Sequence, residues 1–436
     1  MAGPGGAAAA FWLLGLLNNS IFVVLNAGAT LIVPGGVGVI YLCNNLPNLV
    51  VTVSGPYWFH RVAYRRRVLL CGASFATGVS LVALAKPVWL RLLGVMVGSF
   101  AQGLGEASML ARTSFYGRTE ITAWSSGTGF AGIFGYAWKA LFVDLCGLTF
   151  NATLLLANVL PLAFVMVYFG VLYRTQTSLQ VVDDDVENDE AACFVETNGR
   201  LSEACANSYL RMSDENDDSA DCVQGTTSTP MLTTTTTPTA DLADPSSFGE
   251  RLRLFSSLWP FTVPLFVVYI AEYAMQSGTW AAMGFPVHDK GARDKFYLYS
   301  NWLYQVGVFL SRSSGGLFRL SLRQLWVIPL LQFGLLVFFI WDAVVHVWWN
   351  ASVLILCLLV GMFGGAIYVH AMLLMEQRLP SGAQEFAMAS AAGAATTGTA
   401  LANVLGIIIQ GCLFAANDIT DQGPPLFTCG REKWDL

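Results

Sequence analysis

Charge is what this 436-residue sequence most lacks: 12% of its residues are Asp, Glu, Lys or Arg, against 55% hydrophobic. Its mean hydropathy is +0.55. A soluble domain carries charge on about a quarter of its residues, so most of the folded surface must face lipid. The useful ruler is then about 20 apolar residues per crossing. Histidine is also scarce. His60, His288, His346 and His370 are the only four, too few and too scattered for a metal centre, and no cofactor is expected. The nine cysteines form no disulfide framework: Cys43, Cys71, Cys146, Cys357 and Cys412 sit in apolar runs as small hydrophobes, and Cys193, Cys205 and Cys222 lack metal-ligand spacing. Clustered basic charge of the kind that binds nucleic acid is absent. Met1 to Ala10 offers no basic n-region of a cleavable signal peptide. No nucleophile, base and orienting group assemble into a catalytic set, so an enzyme is not expected.

What is present is apolar length. Eleven segments, at 9–33, 37–59, 68–85, 88–111, 121–144, 152–173, 259–282, 296–314, 324–342, 351–374 and 385–414, are long enough to span. Backbone satisfaction in hydrocarbon predicts helices, since a barrel would show short alternating strands. The formal net charge of −6 is misleading, because residues 174–250 alone hold sixteen Asp or Glu beside Arg174, Arg200 and Arg211. Twenty basic and thirteen acidic residues remain elsewhere, so the membrane part is net basic. This acidic stretch, with its run Thr233 to Thr237, cannot bury a core and is expected to be disordered. The predicted organisation is therefore a six-helix bundle over 1–173, a cytosolic loop over 174–258, a five-helix bundle over 259–414 and a tail over 415–436.

A cytosolic N-terminus places Arg61, Arg65, Arg66, Arg67, Arg112, Arg118, Arg174, Arg251, Arg253, Arg312, Arg319, Arg323 and Arg378 inside, as the positive-inside rule requires. The sequons at Asn151 and Asn350 then fall in outer loops, where glycosylation occurs, while the one at Asn18 lies within a helix and should be silent. An odd number of spans puts the C-terminus outside.

A charge at the bilayer centre costs roughly 2.5–3.5 kcal/mol, so polar residues inside spans mark cavities or bundle interiors. Ser99, Gln102, Glu106 and Thr113 share one helical face. So do Tyr269, Glu272 and Gln276, with Tyr273 beside them, and so do Thr396, Thr399, Asn403 and Gln410. Asn19 and Asn26, with Asn45, Asn48 and Thr52, add two further stripes. Amides and hydroxyls of this kind also glue helices together. Mid-span carboxylates are stronger markers, and Glu106 and Glu272 are candidates for a proton site, a cation site or an ion-pair latch. Lys139 either pairs with one of these acids, meets an anionic substrate or snorkels to the interface. Arg312, which closes its helix after Gln305, can grip a phosphate or carboxylate with its planar fork, or simply obey the charge bias. Glu376 and Glu385 offer a gating ion pair with Arg378 or Arg312. Gly127, Gly129, Gly132 and Gly135, and Gly361, Gly364 and Gly365, permit close packing and bending.

Several stretches together resemble the battenin family of endolysosomal membrane proteins. They are Phe11-Trp12-Leu13-Leu14-Gly15-Leu16 followed by Asn18-Asn19, Gly103-Leu104-Gly105-Glu106, and Trp124-Ser125-Ser126-Gly127-Thr128-Gly129. Ala271-Glu272-Tyr273, Tyr304-Gln305, Ser311-Arg312-Ser313-Ser314 and Glu385-Phe386-Ala387-Met388-Ala389 continue the likeness, which runs from about residue 11 to 412 outside the acidic loop. The resemblance implies a major-facilitator-like fold, lysosomal or vacuolar residence, and a part in clearing glycerophosphodiesters. The major facilitator loop signature is itself only partly kept, at Arg61, Arg65 and Arg66, with His60 in place of its Asp. Read with the polar stripes, the likeness implies an alternating-access carrier for an anionic or zwitterionic small solute, with or without proton coupling. Arg312, Lys139, Glu106, Glu272, Gln305, Tyr269, Gln276, Asn19, Ser126 and Asn403 are the candidate contacts, and Glu106 and Glu272 the coupling or gating pair. Carriage of basic amino acids or nucleosides is the alternative solute class. A scaffold that recruits cytosolic trafficking partners through 174–258 is the alternative role. The long leader of some relatives does not precede Phe11, and residues 429–436 show no prenylation motif, so targeting is implied by the resemblance alone.

Overall fold

A computed structural model describes residues 4–32, 37–173, 248–420 and 429. Among these the chain is helical, with no strand, as hydrocarbon demands of a chain that must satisfy its own backbone. The first half comprises α1 (Pro4–Ala27), α2 (Val37–Trp58), α3 (Tyr64–Leu84), α4 (Val88–Thr113), α5 (Arg118–Lys139) and a broken α6 (Phe150–Leu156, then Val159–Val167). A short α7 (Phe248–Ser257) precedes the second half, which comprises α8 (Trp259–Ala274), α9 (Lys290–Arg312), α10 (Leu322–Val345), α11 (Leu354–Arg378) and α12 (Ser381–Ala416). All belong to one compact unit.

The described parts of the apolar segments fall on these helices or on the short helical turns that continue them. Among the described residues seven helices are long and apolar enough to cross a membrane, and eight if the bent pair α7 and Trp259–Ala282 counts as one span. The helices that fall short, α2, α5 and α9, supply much of the polar lining described below, which is what lowers their hydropathy. The expected disorder of 174–247 lies outside the described residues. Its last part is corrected: residues 248–257 are an α-helix rather than loop, because Leu254 and Leu258 pack inward and are buried.

Glycine sets how closely the helices approach. A Cβ on Gly127 in α5 would meet the Trp12 carbonyl oxygen of α1 at 2.0 Å, and one on Gly15 the Trp124 carbonyl oxygen at 2.6 Å. In the second half a Cβ on Gly361 of α11 would collide with the Tyr304 carbonyl oxygen of α9, and one on Gly307 with the carbonyl oxygen of Leu358. Backbone cannot rotate out of the way as a side chain can. Gly361→Val should therefore force α9 and α11 apart and cost about 3 kcal/mol or more through overpacking. A drop in the thermal midpoint of the detergent-solubilised protein checks this. Gly334→Ala in α10, where an added Cβ meets nothing within 4 Å, should be neutral or slightly stabilising. The two halves meet along α5/α9 and α2/α12, where Gly129 abuts Phe309 and Gly393 abuts the Thr52 carbonyl.

One expectation about cysteine is corrected. Cys412, read as a small hydrophobe near the end of α12, is joined by a disulfide to Cys429, with Cα atoms 4.8 Å apart. The apolar run hid the bond because its partner comes seventeen residues later. At the same end Asn417 caps α12, donating to the Ala343 carbonyl at 2.9 Å and facing His346 Nε2 at 2.9 Å.

Candidate functional site

Between the halves lies a cavity of about 130 Å³. It is walled by α1, α2, α4 and α5 on one side and α8, α9, α11 and α12 on the other. The polar stripes of the sequence converge on it: Asn19, Asn45, Asn48, Gln102, Glu106, Tyr269, Gln276, Gln305, Arg312, Thr396 and Thr399 all line it.

Amides dominate the first-half wall. Asn19 Nδ2 donates to Glu106 at 3.4 Å, while Asn19 Oδ1 accepts from Gln102 Nε2 at 2.8 Å. Gln102 Oε1 in turn accepts from Asn48 Nδ2. Ser99 holds this wall in shape. Its hydroxyl donates to the Asn44 carbonyl at 2.8 Å and accepts from the Asn48 backbone N–H at 3.1 Å, thereby inserting into the α2 hydrogen-bond ladder beside Pro47.

In the second-half wall the charged groups are spaced by tyrosines. Tyr304 donates to Glu272, and Tyr368 donates across the halves to Glu106. Arg312 Nη1 donates to Thr128 Oγ1 at 2.6 Å and Nη2 to the Tyr269 hydroxyl at 3.0 Å, with its guanidinium carbon 4.2 Å from the Tyr368 ring centroid. Arg312 has no carboxylate within ion-pair distance: the salt bridges among described residues are Lys139–Asp144 and Lys290–Asp294. Its Nε is buried without a hydrogen-bond partner, and so is Glu272 Oε2, which lies against Gly364 of α11. One cation, Arg312, and one carboxylate, Glu106, thus line the cavity, with a second carboxylate, Glu272, just behind it and reached through the Tyr304 hydroxyl.

Tyrosines extend the lining away from these charges. Tyr269 and Tyr273 stack with centroids 5.8 Å apart, and the hydroxyls of Tyr41 in α2 and Tyr297 in α9 approach to 3.4 Å. At the opposite, arginine-rich end the halves touch directly. Arg118 donates to the Gly315 carbonyl at 2.6 Å, and Ser126 and Ser313 share a hydrogen bond of 2.9 Å. Tyr64 there donates to Glu385.

Placement separates the sequence candidates. Asn19, Glu106, Tyr269, Glu272, Gln276, Gln305 and Arg312 come together in or at the cavity. Glu272 sits directly behind its rim, bonded to the lining Tyr304. Ser126 does not line it: besides Ser313, it accepts from Trp12 Nε1 at 3.1 Å at the contact between halves. Asn403 is buried on α12 with neither amide atom partnered, outside the lining. Lys139 is removed from the site. A π-type turn over Ala140–Leu145 brings Asp144 round to it, and the two pair at 3.0 Å. Among the described residues no ion pair joins Glu376 or Glu385 to Arg378 or Arg312; Glu385 accepts from the Tyr64 hydroxyl and Arg312 faces the cavity. Arg67 and Arg112, read as loop charges, are buried with guanidinium groups 3.8 and 4.9 Å from the Tyr64 ring centroid. Asn151 and Asn350 are exposed. Sequence reading missed Tyr41, Tyr136 and Tyr368, because tyrosine does not break an apolar run. The available signal was Tyr368 four residues after Gly364, on the face that meets both acids.

This geometry can be set beside known proteins. The family model described as CLN3 protein matches residues 9–416. "Protein BTN1" of Yarrowia lipolytica is 31% identical over 418 residues, covering 94% of this chain and 95% of that relative. The chain belongs to the CLN3 (battenin) family. "Battenin" of Canis lupus familiaris is 29% identical over 432 residues, covering 91% of this chain and 89% of its own. Among solved structures, the Escherichia coli fucose:proton symporter superposes with a TM-score of 0.53 at 12% identity, over 95% of this chain and 97% of its own. The proton:xylose symporter XylE gives 0.54 at 11% identity, over 92% and 87%. At such identities the likeness shows the fold alone. This battenin relative is therefore a multi-pass membrane protein with the major facilitator fold, and its central cavity lies between the halves of that fold.

Proposed function

We propose that this battenin-family protein carries a small anionic or zwitterionic solute, of the glycerophosphodiester class, out of the lysosome or vacuole by alternating access. The observation that supports it most is Arg312. A guanidinium with no carboxylate partner, oriented from two sides by Thr128 and Tyr269, is suited to receive an oxyanion. Opposite it, the amides of Asn19, Asn48 and Gln102 match the hydroxyls of a glycerol moiety. The tyrosines and Glu106 suit a cationic headgroup. Rocking of the halves about α5/α9 and α2/α12 would expose the cavity to each side in turn.

Uptake of labelled glycerophosphocholine into proteoliposomes is the test, with saturable uptake expected. Thermal-shift measurements against a panel of phosphodiesters, basic amino acids and nucleosides discriminate the rivals. A second reading rests on Glu106 and Glu272, two carboxylates that a lysine or arginine substrate would satisfy. Stabilisation by basic amino acids and by no phosphodiester would replace the first reading with the second.

The proposed topology has eleven crossings and a cytosolic N-terminus. The sequon loops at Asn151 and Asn350 and the Cys412–Cys429 disulfide share one end of the helix bundle, opposite the arginine-rich loops. Disulfides persist in oxidising, non-cytosolic compartments. Glycosidase treatment of wild type should increase gel mobility, and Asn151→Gln and Asn350→Gln should each remove one step. An unchanged ladder in both variants would invert or refute the assignment.

A further inference from the structure

Helix α7 carries three distinct faces along its ten residues. Arg251, Leu254 and Leu258, at steps of three and four, are buried against the bundle. Arg251 Nη1 donates to the Pro56 carbonyl at 2.9 Å and meets His60 Nδ1 at 2.8 Å, so the helix is fastened to the last turn of α2 and the short turn after it in the other half. Glu250, Arg253, Ser256 and Ser257 form an exposed polar face. Between these two runs a third face. Phe248, Leu252 and Phe255, at steps of four and three, are 68%, 51% and 38% exposed, and Trp259, the first residue of α8 just past the bend, is 56% exposed. Phe248 has a ring partner on the bundle, Tyr57 at 5.4 Å, whereas no ring contact joins Phe255 to the described bundle. A ten-residue helix with an apolar stripe bared to water would gain nothing from showing it.

Direction and continuity identify what covers that stripe. The helix turns 67° away from Trp259–Ala282, so it runs across rather than along that span. Trp259, at its end, packs edge-on against Trp326 of α10 with centroids 5.6 Å apart, and both indoles belong to an exposed apolar belt with Val327 and Leu330. Paired tryptophans at the end of a span are the signature of a headgroup-level belt. Exposed basic side chains flank the tryptophans in the chain, Arg253 on α7 before Trp259 and Arg319 and Arg323 before Trp326.

We infer that α7 is an in-plane membrane helix, seated in the headgroup–acyl boundary of its own bilayer by Leu252, Phe255 and Trp259, where it holds the end of the acidic linker at the membrane surface. Its occupant is phospholipid, with the basic side chains facing anionic headgroups. The Arg251 contacts then tie this lipid-seated strut to the arginine-rich end at which the halves touch.

The test places a fluorescent amino acid singly at positions 252, 255, 253 and 256 of the full chain, reconstituted in phosphatidylcholine–phosphatidylserine vesicles. Quenching by acyl-brominated phosphatidylcholine is compared with quenching by aqueous iodide. Bromolipid should quench 252 and 255 roughly twofold more than 253 and 256, with iodide showing the reverse order, as an interfacial amphipathic helix requires. Equal iodide quenching at all four positions would overturn the inference in favour of a water-exposed helix. Protection of 252 and 255 from both quenchers would overturn it in favour of a protein partner or a second copy. Neither readout depends on transport, so the result stands apart from the proposed substrate.

Discussion

Arg312→Ala is expected to lower saturable solute uptake by roughly a hundredfold or more, equivalent to about 3 kcal/mol lost from a desolvated charge-assisted contact. The size of the loss follows from how the Arg312 guanidinium is held. Its hydrogen bonds go to the neutral hydroxyls of Thr128 and Tyr269, which hold its direction without neutralising it. Removing it leaves those hydroxyls adjustable and strands no opposing charge in an ion pair, so the fold should survive. Uptake and thermal midpoint measured together make the distinction, with transport lost and the midpoint shifted little. Arg312→Lys keeps the charge but not the fork. One ammonium cannot reproduce the two-sided seating against Thr128 and Tyr269 and the stacking on Tyr368, so recovery should be partial, about tenfold below wild type. Normal uptake by the alanine variant would remove Arg312 from the site.

How much of this was legible beforehand depends on the kind of residue. Glu106, Glu272 and Arg312 were legible because an ionisable group in an apolar run has a cost that only a cavity or a partner offsets. The amides were legible through spacing, since Asn45, Asn48 and Thr52 share a face whatever the tilt of α2. Lys139 was misleading for a local reason. Spacing arguments assume 3.6 residues per turn, and the π-type turn after it brings an i+5 acid to its side. Tyr368 was invisible because its apolar ring conceals the hydroxyl that reaches Glu106. The Cys412–Cys429 bond was hidden by the same habit of reading an apolar neighbourhood as the whole environment of a side chain. Helix α7 was lost inside an acidic linker whose composition argued for disorder up to its last turn. Only its three-faced pattern, weighed residue by residue, separates it from the rest.

The two acids differ in a way that predicts different phenotypes. Glu106 accepts from Tyr368 and Asn19 and belongs to the amide chain through Gln102 and Asn48. Glu272 accepts from Tyr304 through one oxygen, while Oε2 is buried with no donor, against the α11 backbone at Gly364. With both ionised, the cavity and the shell just behind it carry one positive and two negative charges, and a monoanionic solute would leave the site more negative still. A proton arriving with the solute removes that penalty, and the carboxylate with the unpartnered oxygen is the better place for it. Glu272→Gln mimics the protonated state permanently. In proteoliposomes the variant should keep solute exchange within about threefold of wild type, while accumulation driven by an imposed proton gradient falls by about tenfold or more, the behaviour of a carrier whose two fluxes have been unlinked. Glu106→Gln should impair both fluxes together, because the change enters the amide wall that Asn19, Gln102 and Asn48 build. If wild-type accumulation ignores the proton gradient, or if Glu272→Gln still follows it, Glu272 is not the coupling group and the unpartnered oxygen serves only the approach of α8 to α11.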